Sequence, residues 1–500
     1  MTSKPRVRPP VALVAAVALA TIAQSMDGRM LSGLLPSIQG ALALTPDEGS
    51  RLITSYLGAN LVVLALSPWL ASRSGQRKYF LASIAGFVVC AILCAVSASL
   101  WTLLPLRIAQ GAFGGGLIAT SHAIFRQAFP PSRLGISQVA FVGSYVGAPL
   151  TFGPLISGYI SDGNYSWQWM FVVDAALASA GLLLSLRSLP DNSASKSVPF
   201  DAVGTLLFAA FAAPAGYVLT VGERYDWFND PHIAQLSVLA FASLVALVLW
   251  HARKHDALFS RALQAGGNIA AVTALILPIG LCLAACVAIA VAFTERLLNF
   301  TATMAGEMLV LRAIVFLPLT VVAGVLMDKR SPRAHLPVAA GMTLLAAGFI
   351  LQWEWATTDT SFSLVVKALA VSGLGIGPAI VPLLWWLFRK LPASATHDVA
   401  ALTDTALAFG ATAATALIPT LIDHRFQIHY SELRSRITLE HLFATHVMPG
   451  AKAIRELTAL VTQQSYALAF ADVAFALTAI ALLSIPLVLF LEYKEVQKIA

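Results

Sequence analysis

Charged residues are scarce in this chain and make up 11% of its 500 residues. A soluble globular protein carries about 25% charged residues, so a water-soluble fold of this length is excluded. Cysteine is also rare: the four cysteines lie inside apolar runs, which indicates neither a disulfide framework nor a zinc site. The sequence contains no G-x-x-x-x-G-K-[ST] phosphate-binding loop, so ATP is not expected as its energy source.

Long apolar runs take the place of the missing charge, since 58% of the residues are hydrophobic. A helix needs about 20 apolar residues to cross a bilayer. The runs are continuous rather than alternating, which favours helices over the strands of a membrane barrel. We therefore predict an all-α integral membrane protein with fourteen transmembrane helices. The predicted spans are 11–35, 51–71, 79–99, 102–125, 136–160, 168–188, 202–221, 232–251, 268–292, 304–327, 335–353, 362–387, 399–422 and 466–491.

The basic residues are distributed unevenly between the segments that connect these spans. With the N-terminus inside, 20 of the 32 Lys and Arg residues lie in cytoplasmic segments, and the short outer loops hold three, Arg51, Arg224 and Arg296. This positive-inside asymmetry predicts an even number of spans with both termini in the cytoplasm. We expect a multi-pass protein of the inner, cytoplasmic membrane. Topology then explains the net charge of +7, and no nucleic-acid partner is expected.

Three segments divide the chain. Residues 1–188 form a predicted N-terminal six-helix bundle, 189–266 a polar linker with two inserted transmembrane helices, and 267–500 a C-terminal six-helix bundle. The last of these contains a long outer loop, 423–465, which is either a short amphipathic helix at the outer surface or a solvated loop. The loops after spans two and ten share a leucine and basic positions. Such a weak repeat is typical of transporters built from two half-bundles.

Span one and the two related loops, after spans two and ten, carry recognisable motifs. Asp27 lies inside span one, in a Met-Asp-Gly sequence. The loop after span two carries Arg73, Gly75 and Arg77, and its copy after span ten carries Asp328. A charge inside a span is expensive, so Asp27 is a functional candidate by default. The two loops are basic and rich in turn-forming residues, which suits a latch on the cytoplasmic side.

Spans four and five carry two further motifs. Arg107 and Gly111 form an R-x-x-Q-G sequence in span four. Gly153, Pro154 and Gly158 follow one another in span five. Glycines let neighbouring helices approach closely, and a proline removes one backbone hydrogen bond and bends its helix. Arg107 must find acceptors inside the membrane, and we expect them on span one or span five.

In this order along the chain, the motifs resemble those of the major facilitator superfamily. More narrowly, they resemble the fourteen-span drug/proton antiporters of the EmrB/QacA type, since residues 222–228 are similar to the loop between the two extra spans of that branch. The resemblance implies a transporter rather than an enzyme, with two six-helix bundles plus two inserted helices. It implies export of amphipathic or hydrophobic compounds in exchange for protons by alternating access, with the proton gradient in place of any cofactor.

The same resemblance implies the lipid bilayer and a small-molecule substrate as partners, and it allows a periplasmic adaptor protein and an outer-membrane channel. The sequence departs from the family pattern at several positions. Ser72 replaces an acid in the first loop motif, and Gln168 replaces an arginine before span six. In span thirteen, Leu407 stands where the family usually has an arginine, and an acid, Asp404, lies one turn earlier.

Acidic residues inside the spans are the candidates for proton or substrate coupling. They are Asp27, Asp404 and Glu307. For Asp27 the alternative is a structural ion pair with Arg29 or Arg107, and for Asp404 it is a fixed salt bridge with Arg29. We expect Arg107 to act as a conformational strut between helices.

The basic residues Arg29, Arg312 and Lys367 are candidates for substrate or ion-pair contacts. They favour an alternative function, a dedicated exporter or flippase of one anionic natural product, siderophore or lipid. A sensor or a channel on the same fold is a further alternative. Asp174 lies near a span end and is a weaker candidate, and His122 is expected to be a hydrogen-bonded interface residue rather than a proton relay.

Overall fold

The computed structural model describes residues 11–191, 199–266, 269–329, 334–436 and 451–499, and within these ranges all regular structure is helical. Residues 143–147 form a π-helical turn, which lies between Val142 and Ala148 of the neighbouring helices. The helices are α1 (Val11–Leu42), α2 (Pro46–Ser74), α3 (Gln76–Ala95), α4 (Leu100–Ala128), α5 (Leu134–Val142), α6 (Ala148–Asp162), α7 (Trp169–Ser188), α8 (Ala202–Val221), α9 (Pro231–Arg253), α10 (Ser260–Gln264), α11 (Ile269–Arg296), α12 (Ala302–Lys329), α13 (His335–Glu354), α14 (Phe362–Arg389), α15 (Thr396–Arg436) and α16 (Ala451–Ile499).

Within the described ranges, 13 helical segments are long and apolar enough to cross a membrane, with Pro131–Asp162 counted as one. They coincide with thirteen of the predicted spans. The fourteenth predicted span, 102–125, forms α4, which is 29 residues long but less apolar than the others. Helix α4 packs between α2 and α3, and most of its second half is buried in protein. Its small and polar residues therefore face other helices, which explains its lower apolarity.

The helices group as the sequence order suggests. Among the first six predicted spans, α2 packs on α4, α1 on α7 and α3 on both α4 and α7. Among the last six, α11 packs on α15, α13 on α14 and α16, and α12 on α14. The two groups meet where α12 packs on α5 and α6, and where α15 packs on α2 and α4. The predicted domain boundaries stay a prediction.

The inserted helices α8 and α9 pack on each other, and α8 contacts α2 and α15 at the boundary between the two groups. Asp201, directly before α8, holds the start of the pair. Its carboxylate accepts hydrogen bonds from Trp250 Nε1 at 3.0 Å, Lys254 Nζ at 3.0 Å and the Leu258 amide at 2.8 Å. Burial opposes the charged form, but these donors outweigh it, so the pKa of Asp201 lies below its ordinary value.

The outer end differs from the prediction of an outer loop at 423–465. Helix α15 continues to Arg436 and α16 already begins at Ala451, so residues 423–436 and 451–465 extend the two helices. The extension of α15 contacts α16 just after residue 465: Phe426 stacks on Tyr466 with ring centroids 4.1 Å apart, and His429 Nε2 lies 2.8 Å from Asp472 Oδ2. These contacts attach the extended part of α15 to α16. Residues 437–450 lie outside the described range.

The two loop motifs have different contacts. Gly75 links α2 to α3 with φ 87°, a backbone conformation that favours glycine. Arg77 donates to Asp191 and, at 2.9 Å, to the Leu186 carbonyl, and the Arg73 guanidinium lies 5.8 Å from the Trp69 ring. Leu186 and Trp69 belong to the first group of helices and Asp191 follows its last helix directly, so none of these contacts joins the two halves.

Asp328, at the end of α12, does connect the halves. Its carboxylate accepts hydrogen bonds from the Gly135 amide at 2.6 Å and the Ile136 amide at 3.1 Å, at the start of α5. The free amides and the dipole of a helix N-terminus favour a carboxylate there. The second loop motif therefore joins the two groups of helices at the end of the bundle where α1 begins.

Candidate transport site

A fully buried charge cluster lies inside the first group of helices. Arg107 Nη1 on α4 donates to Asp27 Oδ1 on α1 at 2.8 Å and to Gln110 Oε1 at 2.7 Å. Gln110 Nε2 also faces Asp27 Oδ1, at 3.3 Å. Asp27, Arg107 and Gln110 have no exposed surface. The expected acceptor for Arg107 on span one is thus present, and it is Asp27; the role of Arg107 as a strut stays a prediction.

Asp174 on α7 is the third charge of this cluster, although its position near a span end made it a weak candidate in the sequence. Its carboxyl group lies close to the carboxyl group of Asp27 and to the guanidinium of Arg107. The Asp174 side chain has no exposed surface. Among the described residues, no donor reaches either oxygen of Asp174 or the Oδ2 atom of Asp27. Two carboxyl groups therefore lie beside one guanidinium, and only the Oδ1 atom of Asp27 has hydrogen-bond donors among the described residues.

Tyr56 and Gln24 form the wall between this cluster and a central cavity. The Arg107 guanidinium lies 4.2 Å from the centre of the Tyr56 ring, on α2. The Tyr56 hydroxyl donates to the Gln24 carbonyl at 3.0 Å. Both residues also line the cavity, whereas Asp27 and Arg107 do not. A movement of Arg107 would therefore reach the cavity through the Tyr56 ring.

The central cavity lies between the two groups of helices. Its empty volume is about 890 Å³, which includes the part open to solvent. Its walls come from α1, α2, α4, the π-helical turn and α6 on one side, and from α11 and α15 on the other. Leucine, isoleucine, valine and alanine side chains dominate the lining. A mostly apolar cavity with a few polar groups is typical of a small-molecule binding site.

Arg29 lines this cavity from α1. It lies two positions after Asp27, which on a helix is a rotation of about 200°, so the two charges point to opposite sides of α1. Gly153 makes room for the arginine: a Cβ atom at Gly153 would lie 2.7 Å from Arg29 Cβ. Leu407 lines the opposite wall of the cavity. The guanidinium thus comes from span one and not from span thirteen.

Asp404 does not form the alternative considered for it, a salt bridge with Arg29. Both Asp404 oxygens lie 3.0 Å from His122 Nδ1, and His122 Nε2 lies 2.9 Å from Gln138 Oε1. Phe141 stacks on the imidazole with ring centroids 3.7 Å apart. Asp404 belongs to α15 and the other residues to α4 and α5, so the cluster joins the two halves, and His122 is the hydrogen-bonded interface residue that was expected.

We expect Asp404→Ala to lower the free energy of unfolding by about 3–5 kcal/mol, because it leaves a buried imidazole without its partner. His122→Ala should do the same from the other side. The double variant His122→Ala with Asp404→Ala should lose clearly less than the sum of the two single losses, since neither side chain is then left without its partner. Unfolding in detergent, read as a double-mutant cycle, measures the coupling; additive losses would contradict an interaction between these side chains.

Three predicted site residues lie away from the central cavity. Glu307 is exposed on α12, where it accepts a hydrogen bond from Tyr159 at 3.4 Å. Lys367 is exposed on α14. Arg312 is 4% exposed and lines a separate small cavity with Gly147 and other residues. None of the three lines the central cavity in this conformation, because helices α12 and α14 turn them to other faces, and their roles stay predictions.

The motif glycines mark close crossings of helices. A Cβ atom at Gly111 would lie 2.3 Å from the Tyr56 carbonyl oxygen on α2, and one at Gly158 would lie 2.6 Å from the backbone of Ala302, just before Thr303 on α12. Pro154 lies inside α6, and the π-helical turn that precedes α6 was not foreseen from the sequence. Gly158 therefore allows a crossing between the two halves, and Gly111 one within the first half.

Two interactions escaped the sequence analysis. Asp174 and Asp27 are 147 positions apart, and His122 and Asp404 are 282 apart. Neither pair shares a local motif. The available signal was the number of ionisable residues inside apolar spans: each had to find a partner, but the sequence did not say which.

A helical bundle in two halves, a cavity between them and buried charges beside the cavity define a membrane transporter. The sequence model of the Major Facilitator Superfamily matches residues 17–415, so the chain belongs to this family. It is a multi-pass membrane protein and a transporter rather than an enzyme, as the resemblance implied.

The relatives are of the EmrB type. The multidrug export protein EmrB of Haemophilus influenzae is 26% identical over 435 residues, which cover 85% of this chain and 83% of that protein. EmrB of Escherichia coli strain K12 is 32% identical over 241 residues, 48% of this chain and 47% of that protein. Among solved structures, the human organic anion transporter MFSD10 (TETRAN) has a TM-score of 0.56 at 16% identity and covers 97% of this chain and 100% of its own. That similarity shows the fold.

Proposed function

We propose that this protein is a proton-coupled efflux transporter that exports amphipathic or hydrophobic compounds in exchange for protons by alternating access. The observation that carries the proposal is the cluster of Asp27, Asp174 and Arg107, fully buried beside the central cavity. The EmrB relatives are named multidrug export proteins, which supports the direction of transport. The proton gradient across the membrane would drive such exchange without ATP.

The cluster suits a proton for electrostatic reasons. Two carboxylates and one guanidinium carry a net charge of −1, and burying an unpaired charge is expensive. Two carboxyl groups in contact favour sharing one proton over ionising together. A proton would also supply the donor that the oxygens of Asp174 lack. One bound proton makes the cluster neutral, and its release leaves a negative charge that must be solvated.

Coupling to the cavity runs through Tyr56. In the protonated state Arg107 pairs with Asp27 and lies against the Tyr56 ring, 4.2 Å away. Loss of the proton would draw Arg107 toward the second carboxylate and shift the ring in the cavity wall. Proton and substrate thus occupy adjacent sites and influence each other indirectly, rather than competing for the carboxylate of Asp27 itself.

Alternating access requires contacts that break and re-form between the halves. Two candidates lie at the end of the bundle where α1 begins: the His122–Asp404 cluster and the Asp328 carboxylate at the start of α5. With both termini cytoplasmic, this end is the cytoplasmic gate, and both contacts close it in the present conformation. Opening toward the cytoplasm would separate them.

The proposed location is the inner, cytoplasmic membrane. A periplasmic adaptor protein and an outer-membrane channel are proposed partners by resemblance to the family. The extensions of α15 and α16, beyond residue 422 and before residue 466, provide a surface at the outer end for such an adaptor.

The test is substrate-dependent proton movement in proteoliposomes that contain a pH dye. Decyl-chain compounds with cationic, neutral and anionic head groups are added under an imposed pH gradient. We expect proton flux with wild-type protein and at least a tenfold loss in Asp27→Asn and in Asp174→Asn. Each substitution leaves one carboxylate with Arg107, a neutral pair, so folding should be retained while the proton site is lost.

The matched control is Asp256→Asn, which changes an exposed aspartate in the segment between α9 and α10 and should transport normally. Normal coupled flux in both cluster variants would overturn the proton site. Silence of the wild-type protein toward every compound would overturn the exporter itself, and ion-sized currents would identify a channel.

A further inference from the structure

We propose that the central cavity binds amphipathic anions, with the head group on Arg29 and the apolar tail along the leucine-rich wall. This inference rests on the proposed export function and names its substrate class. It begins from the charges that line the cavity. Among its described lining residues, Arg29 is the sole side chain with a full charge at neutral pH, and none is acidic.

Among the residues that the structure describes, none is a counter-ion for the guanidinium of Arg29. The guanidinium makes no hydrogen bond or ion pair with a described residue. Its polar neighbour is Tyr145, which also lines the cavity. Guanidinium groups away from bulk water are normally matched by a carboxylate, phosphate or similar anion in bidentate geometry. The missing partner is a ligand anion.

The nearby carboxylates cannot take that place in this conformation. Asp27, two residues away, lies on the other side of α1 and pairs with Arg107 at 2.8 Å. Asp404, on the facing helix α15, is held by His122 at 3.0 Å. With Asp174 also inside the buried cluster, Arg29 is the charge that a ligand head group in the cavity would meet. A cationic head group would meet a like charge, and no carboxylate lines the cavity among the described residues to offset it.

The position of Arg29 is built into the fold. The absence of a side chain at Gly153 lets α6 pass the arginine stem, since a Cβ there would lie 2.7 Å from Arg29 Cβ. Ser25, Ser32 and Tyr145 add neutral polar groups near the same wall, while Leu283 and Leu407 across the cavity offer apolar surface. Head and tail of an amphiphile thus have separate surroundings.

The experiment compares two ligands with one tail and opposite heads, decanesulfonate and decyltrimethylammonium. Binding to the full-length protein in nanodiscs is measured by titration calorimetry. We expect wild-type protein to prefer decanesulfonate by at least tenfold. Arg29→Gln should lose at least tenfold in affinity for the anion and lose none for the cation, and Arg29→Lys should keep most of the anion affinity because it keeps the charge.

The matched control is Arg253→Gln, which removes an exposed positive charge at the end of α9, outside the cavity, and should bind both ligands as wild type does. Equal or tighter binding of the cation by wild-type protein, or unchanged anion affinity in Arg29→Gln, would overturn the proposal. So would a parallel loss of both ligands in Arg29→Gln, because that indicates a collapsed cavity rather than a lost ion pair.

Transport separates this inference from the function on which it rests. Exchange of an anion for protons carries net positive charge inward at any stoichiometry, so an inside-negative potential should accelerate it. Proton-coupled export of the cation alone would keep the exporter and reject the anion site. Anion binding through Arg29 without any proton flux would keep the site and reject the proton-coupled exporter.

Discussion

Replacing Arg107 with glutamine should abolish transport and lower the free energy of unfolding by about 3–5 kcal/mol. Removing one partner of a buried ion pair leaves an uncompensated charge, and that cost falls in this range. Here the cost has a second source, because Asp27 and Asp174 both face the guanidinium and would be left together. The ring of Tyr56 would also lose the cation packed 4.2 Å from its centre.

Folded yield on size exclusion, chemical unfolding in detergent and proton flux in proteoliposomes measure these effects. Arg126→Gln is the matched control, since Arg126 is a half-buried arginine on the same helix outside the cluster. In the triple variant Arg107→Gln, Asp27→Asn, Asp174→Asn the buried cluster carries no charge. This variant should regain folded yield without regaining transport. A single Arg107→Gln variant with normal stability would show that the carboxyl groups need no counter-ion.

Placing a side chain at Gly111 should have the second largest effect. A Cβ atom there would lie 2.3 Å from the Tyr56 carbonyl oxygen, a backbone atom of α2 that cannot rotate away. Overpacking a tight contact costs about 1–3 kcal/mol, and separating α2 from α4 would also displace the Tyr56 ring from Arg107. We expect Gly111→Ala to lose folded yield and most transport, and Gly111→Val to lose both.

Thermal unfolding in detergent, with transport rates per folded molecule, tests this prediction. The control is Gly216→Ala inside α8, where a Cβ would meet no atom within 4 Å. Alanine at Gly216 should be neutral or slightly stabilising, because it lowers the entropy of the unfolded chain. If Gly111→Ala and Gly216→Ala behave alike, the α2–α4 crossing is not close enough to need a glycine.

The contacts of the buried charges show how far sequence reasoning reaches. The rule that a charge inside a membrane span must find a partner predicted an acceptor for Arg107 on span one or five, and Asp27 on span one is that acceptor. The same rule offered Arg29 as a possible partner of Asp404. In the structure the partner is His122 on α4 instead. The rule requires a partner and does not say which of several helices delivers it.

The outer segment 423–465 illustrates a second limit. Its charged residues indicated the end of a span, as they would in a bilayer. The structure continues both helices there, and the stacking of Phe426 on Tyr466 and the contact of His429 with Asp472 attach the extended part of α15 to α16. A hydropathy pattern locates the bilayer boundary, and the helix contacts at that boundary depend on side chains from two distant segments.

The sequence by itself determined the class of protein. Continuous apolar runs of membrane length can satisfy their backbone hydrogen bonds in lipid as helices, so composition fixed an all-helical membrane protein, and the ordered motifs fixed its family. Only the tertiary structure decided the site. It placed Asp174 with Asp27 and Arg107, turned Arg29 into the cavity, and moved Glu307 and Lys367 away from it. The physical reason is that each residue's face depends on how its helix is rotated against neighbours far away in the chain.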